Sequence, residues 1–107
     1  MDAPIRHIAT LAAALFLLAG AALPGRAADA VNGRQLAEKW CVSCHVVGAS
    51  AAGSVPQGPP GFAAVAQRQK STEQLRVFLM QPHGQMPNLT LSRAEIDDLV
   101  AYIETLR

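Results

Sequence analysis

The feature that most constrains this chain is a five-residue run that holds both of its cysteines, Cys41-Val42-Ser43-Cys44-His45. Two cysteines three positions apart lie on nearly the same face of a helical turn, so both thiols can reach one planar group. The histidine that follows projects an imidazole nitrogen toward the same place. Three kinds of site use thiols at this spacing: a dithiol redox pair, one half of a zinc site, and the covalent attachment of haem.

Two of these three kinds of site lack other residues that they need. A structural zinc site takes four ligands, but beyond the run the chain offers no further cysteine and only one further histidine before its end, His83. A thioredoxin-like dithiol site stands in a βαβ framework, whereas no strand-like alternation occurs in this sequence. We therefore expect Cys41 and Cys44 to hold one haem c by thioether bonds, with His45 as an axial ligand of the iron.

The amino-terminal segment has the character of a secretory signal peptide rather than of a folded domain. Arg6 precedes an apolar run, 8–23, of about 16 residues, and small residues follow it. The run is shorter than the roughly 20 residues of a membrane-spanning helix. We expect cleavage after Ala27 to remove residues 1–27 and to leave a single domain, 28–107, in the periplasm. An uncleaved membrane anchor is the alternative, and only then would the protein contact a membrane.

Without that segment, the remaining 80 residues hold little apolar surface for a core and carry no net charge. They include 36 hydrophobic residues, and seven basic side chains balance seven acidic ones. A neutral domain has no general attraction for nucleic acid, so we expect no such partner. A chain of this size buries a small share of its surface, and residues 46–61 hold four glycines, three prolines and no charge. We expect the haem to supply the missing interior and this long loop to wrap around it.

The rest of the mature domain predicts helices only. Small and apolar residues recur at three- and four-residue intervals from about residue 32 into the cysteine run. A short helix near 62–68 and a third helix over 71–81 follow. Ser92 and Glu95 form a capping box for the last helix, whose apolar stripe extends to the C-terminus. The sequence thus predicts an all-α domain of three to four helices with long loops wrapped around one covalently bound haem.

The second axial ligand has three candidates in the mature domain, Met80, His83 and Met86. Met80 lies inside the third predicted helix, where a methionine more often belongs to a core. His83 lies in a loop that contains a glycine. Met86 precedes Pro87, which restricts it to extended backbone and holds its thioether on a segment that can face the iron. We expect Met86 to be the ligand, with His83 as the weaker alternative; ligation by Met and His raises the reduction potential of a haem.

Four segments of the chain resemble class I cytochrome c, the small bacterial monohaem kind. These are, in order, the cysteine run with His45, Gly58-Pro59-Pro60-Gly61-Phe62, Gln85-Met86-Pro87, and Leu91-Ser92 leading to Asp98-Leu99-Val100-Ala101-Tyr102-Ile103. The resemblance extends over 30–107. It implies the cytochrome c fold, in which Gly33 lets the first and last helices cross closely against Leu99 and Tyr102.

The resemblance also implies a contact that orients the iron-binding imidazole. In the family, a proline carbonyl accepts a hydrogen bond from the other nitrogen of the haem-ligating histidine, and such contacts orient the ring. This places Pro59 beside His45. The adjacent Pro60 is a near-equal candidate, because the doubled proline leaves the register open.

The function that the resemblance implies is that of a periplasmic electron carrier, not an enzyme. The iron would alternate between its ferrous and ferric states while both protein ligands stay bound, so we expect no catalytic residue. Asp97 and Asp98 are adjacent on a helix and point different ways, which predicts a solvated face rather than a paired-carboxylate site. Two alternatives remain open: a five-coordinate haem protein that binds a small ligand or peroxide, and a cytochrome subunit of a periplasmic oxidoreductase complex.

The expected partners are redox proteins that donate and accept an electron, and we expect the protein itself to be a monomer. Familiar cytochromes c surround the exposed haem edge with lysines. The mature domain here has only Lys39 and Lys70. We therefore expect docking through an apolar patch around the thioether edge rather than long-range electrostatic steering.

Overall fold

The computed structural model describes residues 25–50, 58–68 and 71–107, which form four α-helices. In chain order these are α1 (Ala30–Trp40), α2 (Phe62–Arg68), α3 (Thr72–Leu79) and α4 (Arg93–Glu104). No strand occurs in these three ranges, and the predicted all-α architecture is confirmed. No helix within them is long and apolar enough to cross a membrane. Most of the predicted export segment and the middle of the predicted long loop lie outside the described residues.

Side chains just before α1 and α4 determine where these helices begin. Ser92 Oγ accepts a hydrogen bond from the Glu95 N–H at 3.2 Å, and the Glu95 carboxylate accepts one from the Ser92 N–H at 2.8 Å. The predicted capping box is therefore confirmed. α1 begins at Ala30, slightly before the predicted start, because the Asp29 carboxylate accepts hydrogen bonds from the N–H groups of Val31 and Asn32.

α3 begins after an N-cap serine, as its predicted range requires, and ends earlier than predicted. Ser71 Oγ accepts a hydrogen bond from the Gln74 N–H at 3.2 Å. The helix ends at Leu79 rather than at Gln81. The Gln81 N–H bonds to the carbonyl oxygen of Phe78 at 3.4 Å, in a turn tighter than an α-helix. The proline that follows has no N–H with which to continue the helix.

α1 and α4 cross at Gly33 so closely that a side chain would not fit there. A β-carbon at this position would overlap the carbonyl oxygen of Asp98 and lie 2.9 Å from the β-carbon of Tyr102. The expected close crossing at Gly33 is confirmed. Tyr102 makes the expected contact, whereas the nearest backbone belongs to Asp98 and not to Leu99, which is buried in the core.

The core lies around α4, which contacts each of the other three helices. Its largest fully buried apolar side chains are Leu75, Leu99, Val100 and Ile103. The Tyr102 hydroxyl donates a buried hydrogen bond of 2.7 Å to the carbonyl oxygen of Val47. This bond connects α4 to the segment that directly follows the cysteine run.

Asp98 differs from the expectation of a solvated face. Its side chain is fully buried, and three donors surround its carboxylate: the Asp29 N–H at 2.7 Å, Asn32 Nδ2 at 2.6 Å and Arg26 Nη2 at 2.9 Å. Burial alone would raise the pKa of Asp98, but these hydrogen bonds and the charge of Arg26 outweigh burial and lower it. The prediction for Asp98 was wrong because α4 turns this position toward the start of α1.

Asp97 has different surroundings from its neighbour. It is only partly buried, and its carboxylate accepts a hydrogen bond of 2.6 Å from Arg76 Nε on α3. The two adjacent carboxylates therefore bind groups on different helices and do not form a paired site.

Candidate functional site

The cysteine run closes one turn at the end of α1. Cys41 is the C-cap residue, and its N–H bonds to the carbonyl oxygen of Ala37 at 2.9 Å. The N–H groups of Cys44 and His45 then bond to the Cys41 carbonyl oxygen at 3.2 and 2.9 Å. Two thiols and one imidazole therefore project from a single turn whose backbone is fixed by hydrogen bonds.

The two thiols of this turn differ in exposure. Both are free, with Cys41 buried and Cys44 exposed. Burial raises the pKa of the Cys41 thiol, which keeps it protonated at neutral pH. A reactive redox cysteine has a lowered pKa instead. The surroundings of Cys41 therefore do not favour a cysteine that exchanges disulfides.

One hydrogen bond orients the imidazole of His45 and leaves one ring nitrogen free. Nδ1 lies 2.8 Å from the carbonyl oxygen of Pro60, and because a carbonyl only accepts, Nδ1 carries the proton. Nε2 is then the nitrogen that can bind a metal. Pro60 makes this contact, and not Pro59, which we favoured from the sequence. The Phe62 N–H bonds to the carbonyl oxygen of Val46 at 2.9 Å, which brings the carbonyl two residues before Phe62 to His45.

Aromatic packing connects the same imidazole to α4. The ring centroids of His45 and Phe62 lie 5.6 Å apart, and those of Phe62 and Tyr102 lie 6.5 Å apart, both pairs tilted by 55°. Phe62 and Tyr102 are buried. The orientation of His45 is thus set by a hydrogen bond at one ring atom and by contact with a buried side chain.

Met80 and His83, two of the candidates for the second axial position, lie at the end of α3. Met80 is the C-cap residue and is 54% exposed. The His83 ring stacks on Phe78 with 3.9 Å between centroids, and its Nδ1 lies 3.1 Å from the carbonyl oxygen of Gln81. The His83 ring therefore already has partners in the last turn of α3 and in the loop that follows.

Met86, the third candidate, lies in the turn that follows. It is partly buried, and its N–H bonds to the carbonyl oxygen of His83 at 3.0 Å. Gly84, inside this turn, has a φ of +56°, which a glycine adopts without strain. Met86 also borders a small cavity of about 60 Å³ that Leu79 and Ile96 help to line.

Several large apolar side chains near these residues remain open to solvent. Trp40 and Val42, next to the cysteines, are 48% and 56% exposed, and Val77 and Phe78 of α3 are 49% and 47% exposed. Exposed apolar surface of this kind marks a place that another group covers. Together with the free Nε2 of His45 and two thiols on one turn, these residues fit a covalently attached porphyrin.

Comparison with known proteins decides the family. Residues 28–103 match the family described as cytochrome c oxidase, cbb3-type, subunit III. The chain is also 49% identical to cytochrome c-552 of Bradyrhizobium diazoefficiens over an alignment of 82 residues. This alignment covers 76% of this chain and 78% of that protein. The chain belongs to the cytochrome c family. This cytochrome c therefore carries covalently bound haem c and acts as an electron carrier. No solved structure gives a significant match.

Two contacts in the site of this cytochrome c were not predicted from the sequence. One is the packing of Phe62 between His45 and Tyr102, for which the sequence carries no spacing signal. The other is the burial of Asp98. The sequence did contain a signal for this burial. Asp98 lies four residues before Tyr102 and therefore on the same face of the helix, and Tyr102 was already expected to pack against Gly33.

Proposed function

We propose that this cytochrome c is a periplasmic one-electron carrier whose haem is attached at Cys41 and Cys44 and whose iron is bound by His45 and Met86. The observation that carries the proposal is the hydrogen bond between His45 Nδ1 and the Pro60 carbonyl oxygen. It makes Nδ1 the donor to Pro60 and so assigns Nε2, on the same turn as the two cysteines, as the nitrogen available to the iron. A free nitrogen beside two thiols is the donor set that covalent haem needs.

The chain's own task is to keep the ligand geometry the same in both oxidation states. Haem c supplies the iron that takes up and releases the electron. The Pro60 carbonyl oxygen accepts a hydrogen bond from Nδ1 of His45, which fixes the orientation of the ring. The Phe62 ring restrains the same imidazole and packs on Tyr102 of α4. A ligand held this way moves little when the iron charge changes.

The surroundings of the three candidate ligands support Met86 as the second one. Met86 is partly buried and stands before a proline, in a turn closed by its own N–H. Met80 is exposed at a helix end, and His83 packs on Phe78. With His45 and Met86 both bound, no position on the iron is open to a substrate, and we therefore propose electron transfer without catalysis.

The basic start and the apolar run before residue 24 support export of the protein, with removal of residues 1–27. The matching family is described as an oxidase subunit, and this description favours a second candidate function, that of a cytochrome subunit docked in a larger complex. Purification without detergent separates the two: a free carrier elutes alone as a monomer, whereas a subunit elutes with other chains.

The test of the ligand assignment is optical spectroscopy of the ferric protein and of three variants. The wild type should show the near-infrared charge-transfer band of a methionine–Fe(III) bond, and Met86→Ala should lose this band and lower the reduction potential. Met80→Ala and His83→Ala are the matched controls, and both should keep the band. A wild type without the band that binds external ligands would favour a five-coordinate haem protein, and loss of the band in Met80→Ala would place the ligand at that residue.

A further inference from the structure

The buried carboxylate of Asp98 has a cationic partner that export would remove. Arg26 Nη2 lies 2.9 Å from Asp98 Oδ2, and the Asp98 side chain is 1% exposed. Its two other donors, the Asp29 N–H and the Asn32 side-chain amide, are neutral. Among the described residues, Arg26 is therefore the one positive group bound to this carboxylate. Cleavage after Ala27 would leave a buried negative charge without a cation.

We propose that the amino group created by cleavage takes the place of the Arg26 guanidinium and binds Asp98. The Asp29 N–H lies 2.7 Å from Asp98 Oδ1, and the new amino group belongs to Ala28, the residue directly before Asp29. Consecutive α-carbons are about 3.8 Å apart, so this amine begins within one residue of the carboxylate. The inference rests on the cleavage that is part of the proposed function.

The amine needs a negative partner near the start of α1, and Asp98 is the carboxylate that can supply it. α1 begins at Ala30, and the first turn of a helix carries a partial positive charge that disfavours an ammonium group beside it. The charged groups at this position are Arg26, which cleavage removes, Asp29 and Asp98. Glu95, one turn earlier on α4, interacts electrostatically with Asp98. The Asp29 carboxylate already accepts two N–H groups of α1. Asp98 is therefore the negative group that can compensate the ammonium.

The same contacts distinguish two cleavage positions that small residues allow, after Ala27 and after Ala30. Cleavage after Ala30 would delete Asp29, which caps α1 through hydrogen bonds of 2.9 and 3.1 Å and also donates its N–H to Asp98. Cleavage after Ala27 keeps all of these bonds. Ala28 is therefore the first residue that leaves the cap of α1 and the bond from the Asp29 N–H to Asp98 complete.

The test uses the exported haem protein. Its mass identifies the first residue, and reductive methylation with ¹³C-formaldehyde labels the α-amine for a titration followed by NMR. We expect Ala28 as the first residue, with the pKa of its amine about one unit or more above the ordinary range of about 7.7–8.0. Asp98→Asn should return this pKa to the ordinary range, whereas the matched variant Asp97→Asn should leave it raised, because Asp97 binds Arg76 instead.

A second variant keeps the test decisive if Asp98→Asn does not fold. Two glycines inserted between Ala27 and Ala28 leave Asp98 and the core unchanged but move the amine away, and the amine should then titrate in its ordinary range. A wild-type amine with an ordinary pKa, or a raised pKa that persists in Asp98→Asn, would overturn the inference.

The mass spectrum separates failure of this inference from failure of the proposed function. An exported red protein that starts at Val31, or one that keeps residues 1–27, would overturn the docking of the amine at Asp98 and leave the electron-carrier proposal intact. A colourless product with the mass of the bare peptide would contradict the electron-carrier proposal itself.

Discussion

At the scale of single residues, Gly33 has the sharpest steric requirement in the described part of the chain. The atoms that a side chain here would meet are the backbone of Asp98 and the β-carbon of Tyr102. Neither can rotate out of the way, since neither is the far end of a flexible side chain. Any substitution must therefore push α4 away from α1, and with it the residues that hold Phe62 in place.

Gly33→Ala is expected to lower the free energy of unfolding by about 2–3 kcal/mol, the usual cost of overpacking a tight contact. Chemical denaturation of the haem protein measures this change. Gly48→Ala is the matched control, because an added β-carbon at Gly48 would have no other atom within 4 Å. If Gly33→Ala is as stable as the wild type, the two helices do not cross as closely as described.

At the scale of elements, the α1–α4 pair depends on the Asp98 carboxylate as well as on close packing. This one side chain bonds to the Asp29 N–H before α1 and to the Asn32 side chain within it. Donors at the start of α1 thus find their hydrogen-bond acceptor in the middle of α4. The stabilisation that this carboxylate gives to the α1–α4 pair therefore depends on pH.

Asp98→Asn should lower the free energy of unfolding at neutral pH by about 3 kcal/mol, since it removes a buried charge from its partners. The folded protein has a lowered Asp98 pKa, so the stabilisation is complete above the unfolded-state pKa of about 3.9. It disappears as the pH falls through the folded-state value. Denaturation measured from pH 7 downward should therefore show the wild type approaching the variant below about pH 4.

Asp97→Asn is the control for this measurement. Asp97 is partly exposed and binds Arg76 at the surface, so its loss should cost about 1 kcal/mol or less. A difference between wild type and Asp98→Asn that stays constant from neutral to acid pH would contradict the role given to the Asp98 charge.

At the scale of the whole molecule, the described part of the chain leaves several large apolar side chains outside the core. Trp40, Val42, Val77 and Phe78 are each about half exposed, although residues of this kind normally contribute to a core. Residues 28–107 would make a small domain, and a small domain buries so little surface that it normally uses such side chains in its core. We therefore expect the haem to act as part of the core.

The double variant Cys41→Ala, Cys44→Ala should accordingly be largely unfolded. Circular dichroism should show a clear loss of helix and no cooperative melting transition. Ser43→Ala, which alters the same turn but keeps both thiols, should remain folded and coloured. A double variant with undiminished helical signal and a cooperative transition would show that the chain folds without its cofactor.

The charge of the whole molecule predicts how it meets other proteins. Residues 28–107 have no net charge and only two lysines, Lys39 and Lys70, so long-range steering should be weak. Electron self-exchange between ferric and ferrous copies, measured by NMR, should change by less than about tenfold between low and high salt. A fall of several orders of magnitude would contradict docking through an apolar patch.

The sequence alone predicted the parts of this protein that depend on local spacing. Cys41, Cys44 and His45 fall within one turn, and the capping box of Ser92 and Glu95 uses atoms three residues apart. Such features are fixed by helical geometry, whatever the rest of the chain does. The motif order also led to the cytochrome c family, which the comparisons confirmed.

The tertiary structure alone decided contacts between residues far apart in the chain. Two adjacent prolines offer equivalent carbonyl groups to His45, and only the bond from Phe62 to Val46 selects Pro60 over Pro59. Asp98 likewise belongs to a polar pair in the sequence, and its burial follows from where α4 crosses α1. A local pattern fixes which face of a helix a residue occupies, but what that face meets depends on the packing of distant segments.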